Sequence, residues 1–543
     1  FYNKIIGKKV SLKVAISGLI ISVLELTGLA ILFPFIRISI DTQYSGSIII
    51  LLGILLISFY LIRGLITSIL IKYQVSISAL ISSSLSNKII KQSLNSNYKL
   101  FLENGSVNIA SSAYTNSMHS ALLFQAIVNA FNEFIFLFFI FFGSLIFKPI
   151  LFIYLLIFIL VFLNFIFTPL SKRVTNIGRQ TQEVDTAHHR FNFALANSIK
   201  DIKIMGLENK FAERNKIISR KHSDLFAKYS FISSLQKIFI EIILACTIVI
   251  FIILFISKGI DLKQSAPLIL TLGMIAVRSA PAITRLGNSF NGFKYSLPFV
   301  MRLMEVQRIT RNYKQVRNEY SPLFKKEYCI ENIYFNFGKK QILKNCSLKI
   351  KYGEIIKIIG PSGAGKSTLL DIISGLLKPK KGTFKIDDNF FNPYLSEGFT
   401  SNIGYVPQSI SLLDESLGFN ISLELNPNKE KLSRAIKKAQ LNKFINSLPE
   451  GINTKIGEGG EGVSGGQRQR IGIARALYRC PNILILDEIT SSLDNKTSKE
   501  IINQIYLMKG EVTIILVTHD LKSFKADQTY FLDNGNLIKN YQS

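Results

Sequence analysis

Tryptophan is absent from this 543-residue chain, cysteine occurs four times, histidine five times, and acidic residues number 36 against 64 Lys and Arg. Cys246, Cys329, Cys346 and Cys480 are scattered without C-x-x-C spacing, which excludes a zinc ribbon and a disulfide framework and predicts buried thiols in a reducing compartment. Without Trp, any aromatic belt at a membrane interface has to be built from the 20 Tyr. The chain opens at Phe1 with no charged n-region, apolar h-region and cleavage site, so no signal peptide is expected. The shortage of acids leaves a formal net charge of +28, which would suit nucleic acid if the charge were spread differently.

Hydrophobic residues make up 48% of the chain, and its 41 Phe concentrate before residue 300. Apolar stretches long enough to cross a bilayer, about 20 residues each, lie at 13 to 38, 47 to 72, 120 to 147, 150 to 170, 231 to 257 and 266 to 296. Six spans in one chain argue against a nucleic-acid partner. Between the fourth and fifth, residues 171 to 230 are rich in Lys and Arg, among them Lys172, Arg173, Arg179, Arg190, Arg220 and Lys221. That is the positive-inside bias, and it predicts a cytoplasmic location for 74 to 118, for 171 to 230 and for both termini. The two cytoplasmic segments read as helical continuations of the spans, with Ile202, Ile204 and Met205 set among charged neighbours.

A charged stretch from Arg308 to Lys326 reads as a linker, dividing the chain into a membrane domain (1–305), a linker (306–327) and a second domain (328–543). In the last, short β-branched strands such as Ile483 to Leu486 and Thr513 to Val517 alternate with helices, predicting an α/β domain with a largely parallel sheet. Ligands of such sheets bind at the carboxyl ends of the strands, and Ser367, Asp487 and His519 all fall just beyond strand ends. The run Gly360-Pro361-Ser362-Gly363-Ala364-Gly365-Lys366-Ser367-Thr368 fits G-x-x-x-x-G-K-[ST] between a strand and a helix. Its glycines let backbone N–H groups close on phosphate oxygens, Lys366 adds positive charge, and Ser367 can hold Mg²⁺. A second nucleotide motif, Val463-Ser464-Gly465-Gly466-Gln467, follows downstream.

With these motifs, residues 328 to 543 resemble the ATP-binding domain of an ABC transporter, and the whole chain resembles an ABC exporter half-transporter. The resemblance implies a multi-domain fold: a six-helix α-helical transmembrane domain, then an α/β P-loop domain that binds ATP and Mg²⁺. In Ile483-Leu484-Ile485-Leu486-Asp487-Glu488 it makes Asp487 the acid that positions Mg²⁺, through water or directly, and Glu488 the carboxylate that polarises the attacking water. Gln408, in Tyr405-Val406-Pro407-Gln408, would reach the metal and the water. His519 would contact the γ-phosphate, and Ser491-Ser492-Leu493-Asp494 would link two sites across a dimer. The segment Thr454 to Gly460 resembles a loop found in exporters. Ser464, Gly465, Gly466 and Gln467 would complete the ATP site of an opposite subunit, so a partner is implied. A homodimer is the simplest reading and a heterodimer the alternative. Two positions depart from the pattern: Phe337 stands where the adenine-stacking residue is usually Tyr, and Val463 where Leu is usual.

The membrane half resembles a bacterial flippase for lipid-linked oligosaccharides, an inner-membrane protein. The residues concerned are Glu25 through Pro34, Phe59 to Arg63, Lys237 with Glu241, and Arg278-Ser279-Ala280-Pro281 with Arg285. This implies a basic belt of Arg63, Lys237, Arg278 and Arg285 for an amphipathic anionic cargo, with Lys237 standing where Arg is expected. Arg278 and Arg285 lie seven apart, on one helical face. Other readings of these residues stay open: Lys237 and Glu241, at i and i+4, can neutralise each other, and Glu25 and Glu133 can bond neighbouring helices. Export of a peptide or another lipid, or a regulatory ATPase that transports nothing, are the alternatives for the whole chain.

Overall fold

A computed structural model describes the protein except for residues 1, 41–44, 148–167, 258–261, 314–318, 321, 323, 458–461, 491–492, 520–523 and 540–543. It divides into two compact units, Phe1–Ser96 with Leu100–Lys314 and Asn97–Lys99 with Gln315–Ser543.

The first unit is helical. Its long elements are α1 (Lys8–Ile40), α2 (Gly46–Leu94), α3 (Ser117–Phe147), α4 (Thr168–Asn197), α5 (Glu208–Ser257) and α6 (Leu262–Asn312). Among the described residues, three helical segments are long and apolar enough to cross a membrane: Lys8–Gly28, Gly46–Leu94 and Ser106–Phe142. The expected fourth span, 150 to 170, falls mostly outside the described residues. The expected fifth and sixth lie on α5 and α6. Leu51, Ile54, Leu61, Leu65 and Ile69 on α2 are all exposed, the arrangement a lipid solvent permits, while the helix satisfies its own backbone groups as hydrocarbon demands.

Polar side chains join the helices from inside. Gln74 Nε2 donates to Ser17 Oγ at 3.0 Å, and Ser22 Oγ donates to the Asn132 carbonyl at 2.8 Å. A Cβ on Gly18 would lie 2.1 Å from Asn132 Oδ1, so only glycine admits that amide. Gln236 and Asn291, both fully buried, donate to each other at 3.3 and 2.8 Å.

The helices expected between the spans form, but not as unbroken rods. Short helices at Lys99–Asn104, Ser106–Ser111 and Ile199–Ile204 interrupt them. Gly105 (φ +74°) and Gly206 (φ +62°) mark the breaks, in a backbone region that glycine enters without penalty. Ile202 is buried there, whereas Ile204 and Met205 are exposed. Helix α6 also runs on to Asn312, past the expected domain end at 305. The expectation of buried thiols holds for Cys346 alone: Cys329 is half-buried, and Cys246 and Cys480 are exposed. Cys480 takes φ +52° just after a helix end, where the chain turns at the surface.

The second unit contains β1 (Glu327–Phe337), β2 (Lys340–Lys351), β3 (Ile355–Ile359), α7 (Lys366–Ile373), β4 (Lys381–Ile386), β5 (Ile403–Val406), α8 (Gly465–Tyr478), β6 (Ile483–Asp487), α9 (Asn495–Leu507), β7 (Thr513–Val517), β8 (Gln528–Asp533) and β9 (Asn536–Lys539). The main sheet has the order β9-β8-β3-β7-β6-β5, parallel except for β9. Strands β1, β2 and β4 form an antiparallel sheet with the short strand Asn389–Phe390. Every residue of β3, β6 and β7 is buried. Alternation sends Ile483 and Ile485 into one core with α7 and Leu484 and Leu486 into another with α8, the pattern of a strand covered on both faces.

Candidate functional site

The phosphate loop leaves β3 at Ile359 and enters α7 at Lys366. Gly363 (φ +81°) and Gly365 (φ +103°) take left-handed conformations that turn the loop into the helix. Gly360 is required for another reason: a Cβ there would lie 2.1 Å from the Leu532 carbonyl oxygen. Ser362, Gly363 and Ser367 are exposed along the loop, and Thr368 is half-buried. Lys366 is buried, its Nζ donating to the carbonyls of Gly360 at 2.8 Å and Pro361 at 3.1 Å and standing 3.4 Å from His519 Nε2. Burial pushes its ammonium below the usual lysine range.

Strand β6 delivers the two acids. Asp487, its last residue, is buried and accepts a hydrogen bond from the Tyr405 hydroxyl at 3.1 Å on Oδ2. Burial lifts its carboxyl above the usual aspartate value, while that bond pulls it back down. Asp371, on α7, is lifted to about 6 by burial and then by the charge of Asp487. Glu488 follows at φ +50°, a conformation non-glycine residues rarely hold, with its N–H donating to the Val517 carbonyl at 3.0 Å. Gln408 Nε2 donates to Glu488 Oε2 at 2.9 Å, and His519 Nε2 lies 2.6 Å from Glu488 Oε1. Residues from four sequence regions, Lys366, Gln408, Glu488 and His519, therefore form one connected group.

The donors suit Mg²⁺. Ser367 and Gln408 offer neutral oxygens, and Asp487 a single buried carboxylate, the hard oxygen set that holds Mg²⁺ together with substrate phosphates. Among the described residues no cluster of three or more His, Cys, Asp or Glu is placed to cage a metal; a metal shared with phosphates needs none.

Ser464 to Gln467 form a second group. Ser464 caps α8 in a capping box, its Oγ accepting from the Gln467 N–H at 3.3 Å while Gln467 Oε1 accepts from the Ser464 N–H at 2.9 Å. Asp494 caps α9, accepting from the N–H groups of Lys496 and Thr497 at 3.1 and 3.0 Å, and these bonds hold its carboxyl below the usual range. The two caps meet through Gly465 and Gly466, whose Cβ positions lie 3.5 Å from Leu493 and 2.6 Å from Thr497. Ser491 and Ser492 lie outside the described residues. Phe337 ends β1, half-buried and edge-on to Phe335. Of the segment 454 to 460, Lys455–Ile456 pairs with Glu415–Ser416 and the part from 458 lies outside the described residues.

In the first unit, Arg285 forms a two-pronged pair with Glu133, one prong at 3.0 Å, and its Nη2 lies 4.0 Å from Glu25. Arg63 lies 3.9 Å from Glu25 and over the Tyr60 ring at 5.4 Å. Two acids and two bases on α1, α2, α3 and α6 thus neutralise one another. Lys237 and Glu241 approach to 3.9 Å, both well exposed. The side chain of Arg278 lies outside the described residues. The motif that holds Gln408 includes Tyr405 but leaves it without a role, and Asp371 belongs to no motif; the period-two alternation of β5 and the helical offset from Ser367 were the available signals.

Residues 343–491 match the ABC transporter family. A probable ABC transporter ATP-binding/permease protein of Haemophilus influenzae is 29% identical over 375 residues, 68% of this chain and 67% of that protein. The leukotoxin export ATP-binding protein LtxB of Aggregatibacter actinomycetemcomitans is 35% identical over 292 residues, 53% of this chain and 40% of its own length. An ATP-dependent lipid A-core flippase of Francisella tularensis is 34% identical over 213 residues, 39% of this chain and 35% of its own. The chain thus covers two thirds of the first relative and well under half of the other two. The structure of a bacterial Atm1-family ABC exporter with ATP bound superposes with a TM-score of 0.82 over 98% of this chain and 95% of that one, at 19% identity. The fold is that of an ABC exporter: a helical transmembrane domain followed by an ABC nucleotide-binding domain.

Proposed function

We propose that this chain, an ABC-type ATPase by residues 343–491 carried on an ABC exporter fold, spends ATP hydrolysis on moving an amphipathic cargo outward across the bacterial inner membrane. The observation that carries the reading is the carboxylate of Glu488, held by Gln408 at 2.9 Å and His519 at 2.6 Å in a group that includes Lys366.

Phosphoryl transfer asks mainly for positioning and charge stabilisation. The phosphate loop and Lys366 bind and neutralise the β- and γ-phosphates. Glu488 orients the attacking water and takes its proton, while Gln408 and His519 fix the carboxylate and face the γ-phosphate. Mg²⁺ bound with the nucleotide supplies further neutralisation of phosphate charge, held by Ser367, Gln408 and Asp487. Phe337 stacks on adenine. Ser464, Gly465, Gly466, Gln467 and Asp494 complete the site of a second copy, so the working unit is a homodimer with the nucleotide domains and both termini in the cytoplasm.

The cargo proposed is a lipid-linked oligosaccharide. Lipid-flipping relatives support a lipid, and Arg63, Lys237, Arg278 and Arg285 support an anionic head group, which would compete with Glu25 and Glu133 for Arg63 and Arg285. The 35% identity to a leukotoxin export protein supports a second reading, export of a peptide. ATP-dependent movement of a fluorescent polyprenyl-pyrophosphate oligosaccharide in proteoliposomes, lost in Glu488→Gln, is the expected result. An ATPase-active protein that leaves this lipid unmoved overturns the lipid-linked cargo.

A further inference from the structure

Tyr405 lies in β5, which pairs in parallel with β6 so that Tyr405 stands opposite Ile485. Side chains alternate along a strand, so Tyr405, Ile485 and Asp487 share one face, and Asp487 lies two residues, or about 6.6 Å, further along. A tyrosine is long enough to bridge that offset diagonally; Ser, Thr or Asn is not. The Tyr405 hydroxyl meets Asp487 Oδ2 at 3.1 Å.

Core packing does not account for this tyrosine, since Tyr405 is 38% exposed in a strand whose next residue, Val406, is fully buried. Its hydroxyl reaches a carboxylate crowded by other acids: Glu488 adjoins Asp487 in sequence, and Asp371 on α7 feels the Asp487 charge. Repulsion of that kind turns an untethered carboxylate away. A donor on Oδ2 fixes its rotation and leaves Oδ1 for the metal side. Tyr405 also lies three residues before Gln408, so one short segment delivers both the residue that grips Glu488 and the one that grips Asp487.

We infer that Tyr405 is a positioning residue for Asp487, and that through it β5 sets the affinity of the nucleotide site for its divalent cation. This rests on the reading of Asp487 as the acid that holds Mg²⁺. The change Tyr405→Phe removes only the hydroxyl. In the full chain in nanodiscs, with a non-hydrolysable ATP analogue, Mn²⁺ binding followed by electron paramagnetic resonance should weaken about tenfold, the usual scale for losing an outer partner of a metal ligand. Hydrolysis by the variant should need correspondingly more Mg²⁺ to reach half its maximum, and binding of the analogue in EDTA should match the parent.

Mn²⁺ affinity within twofold of the parent overturns the proposal. So does loss of analogue binding in EDTA, which would make Tyr405 a structural residue. An Asp487→Asn arm separates the two levels. If Asp487→Asn abolishes Mn²⁺ binding and Tyr405→Phe leaves it intact, the role of Tyr405 falls and that of Asp487 stands. If Asp487→Asn itself binds Mn²⁺ normally, both fall.

Discussion

His519 Nε2 and Glu488 Oε1 stand 2.6 Å apart, while Gln408 holds the other carboxylate oxygen at 2.9 Å. A carboxylate held at both oxygens by the protein's own groups has a fixed orientation, which is what a general base requires. Glu488→Gln keeps the shape of the side chain and removes its charge and basicity. Steady-state ATP hydrolysis should fall by about 10²-fold or more, with ATP binding retained. Phosphate release and nucleotide binding, measured on one preparation, check this; normal turnover removes Glu488 from its role.

The four charges Glu25, Arg63, Glu133 and Arg285 tie α1, α2, α3 and α6 together. Removing one member of the pair leaves the half-buried Glu133 or Arg285 without its main partner, so single changes should cost more than paired ones. Glu133→Gln and Arg285→Ala should each lower the thermal midpoint in detergent. The double variant should lose less than the sum, with a coupling of about 1 kcal/mol, kept modest because Arg285 is 49% exposed. Additive losses would show that the two residues act independently.

This network also marks the limit of sequence reading. Arg285 and Glu133 are 152 residues apart, and nothing local announces that they meet. The charges are legible as costly residues within the expected spans, but whether a charge is free or paired depends on how helices rotate against one another. The ATP site is different. Its loop and strand ends are local patterns of glycine and β-branched residues, so Lys366 and Asp487 stood out in the chain itself, whereas Ser464 and Asp494 came with the family resemblance and their capping of α8 and α9 only with the fold. The link from Tyr405 to Asp487 needed the register of two parallel strands. The breaks at Gly105 and Gly206 were hidden because helical periodicity continues on both sides of each turn.

Asp185, on α4, lies 3.2 Å from His222 on α5. Burial lifts its carboxyl above 3.8, against the pull of His222, His189 and His188. An acid with a raised value binds its proton more tightly folded than unfolded, so the stability it contributes is full below 3.8 and lost as pH rises through the folded value. Asp185→Asn does not ionise and escapes that loss. Its thermal midpoint should gain on the parent as pH rises from about 4 to about 7, the direction that linkage demands. A melting series across that range checks the sign; a difference that shrinks with rising pH would reverse it.

Gly466 has two possible reasons to be glycine, and they can be separated. A Cβ there would lie 2.6 Å from Thr497 Cγ2, so Gly466→Ala should strain the contact between α8 and α9 and destabilise the protein by about 1 kcal/mol, overpacking outweighing the gain in helix propensity. Thr497→Ser removes the obstructing methyl and keeps the hydroxyl that bonds to Asp494. Adding it to Gly466→Ala should restore the melting temperature. If Gly466 also lets backbone close on the nucleotide of a second copy, ATP hydrolysis by the double variant should stay low despite its recovered stability. Measured side by side, melting and turnover that recover together would reduce Gly466 to a packing residue and withdraw it from the proposed dimer site.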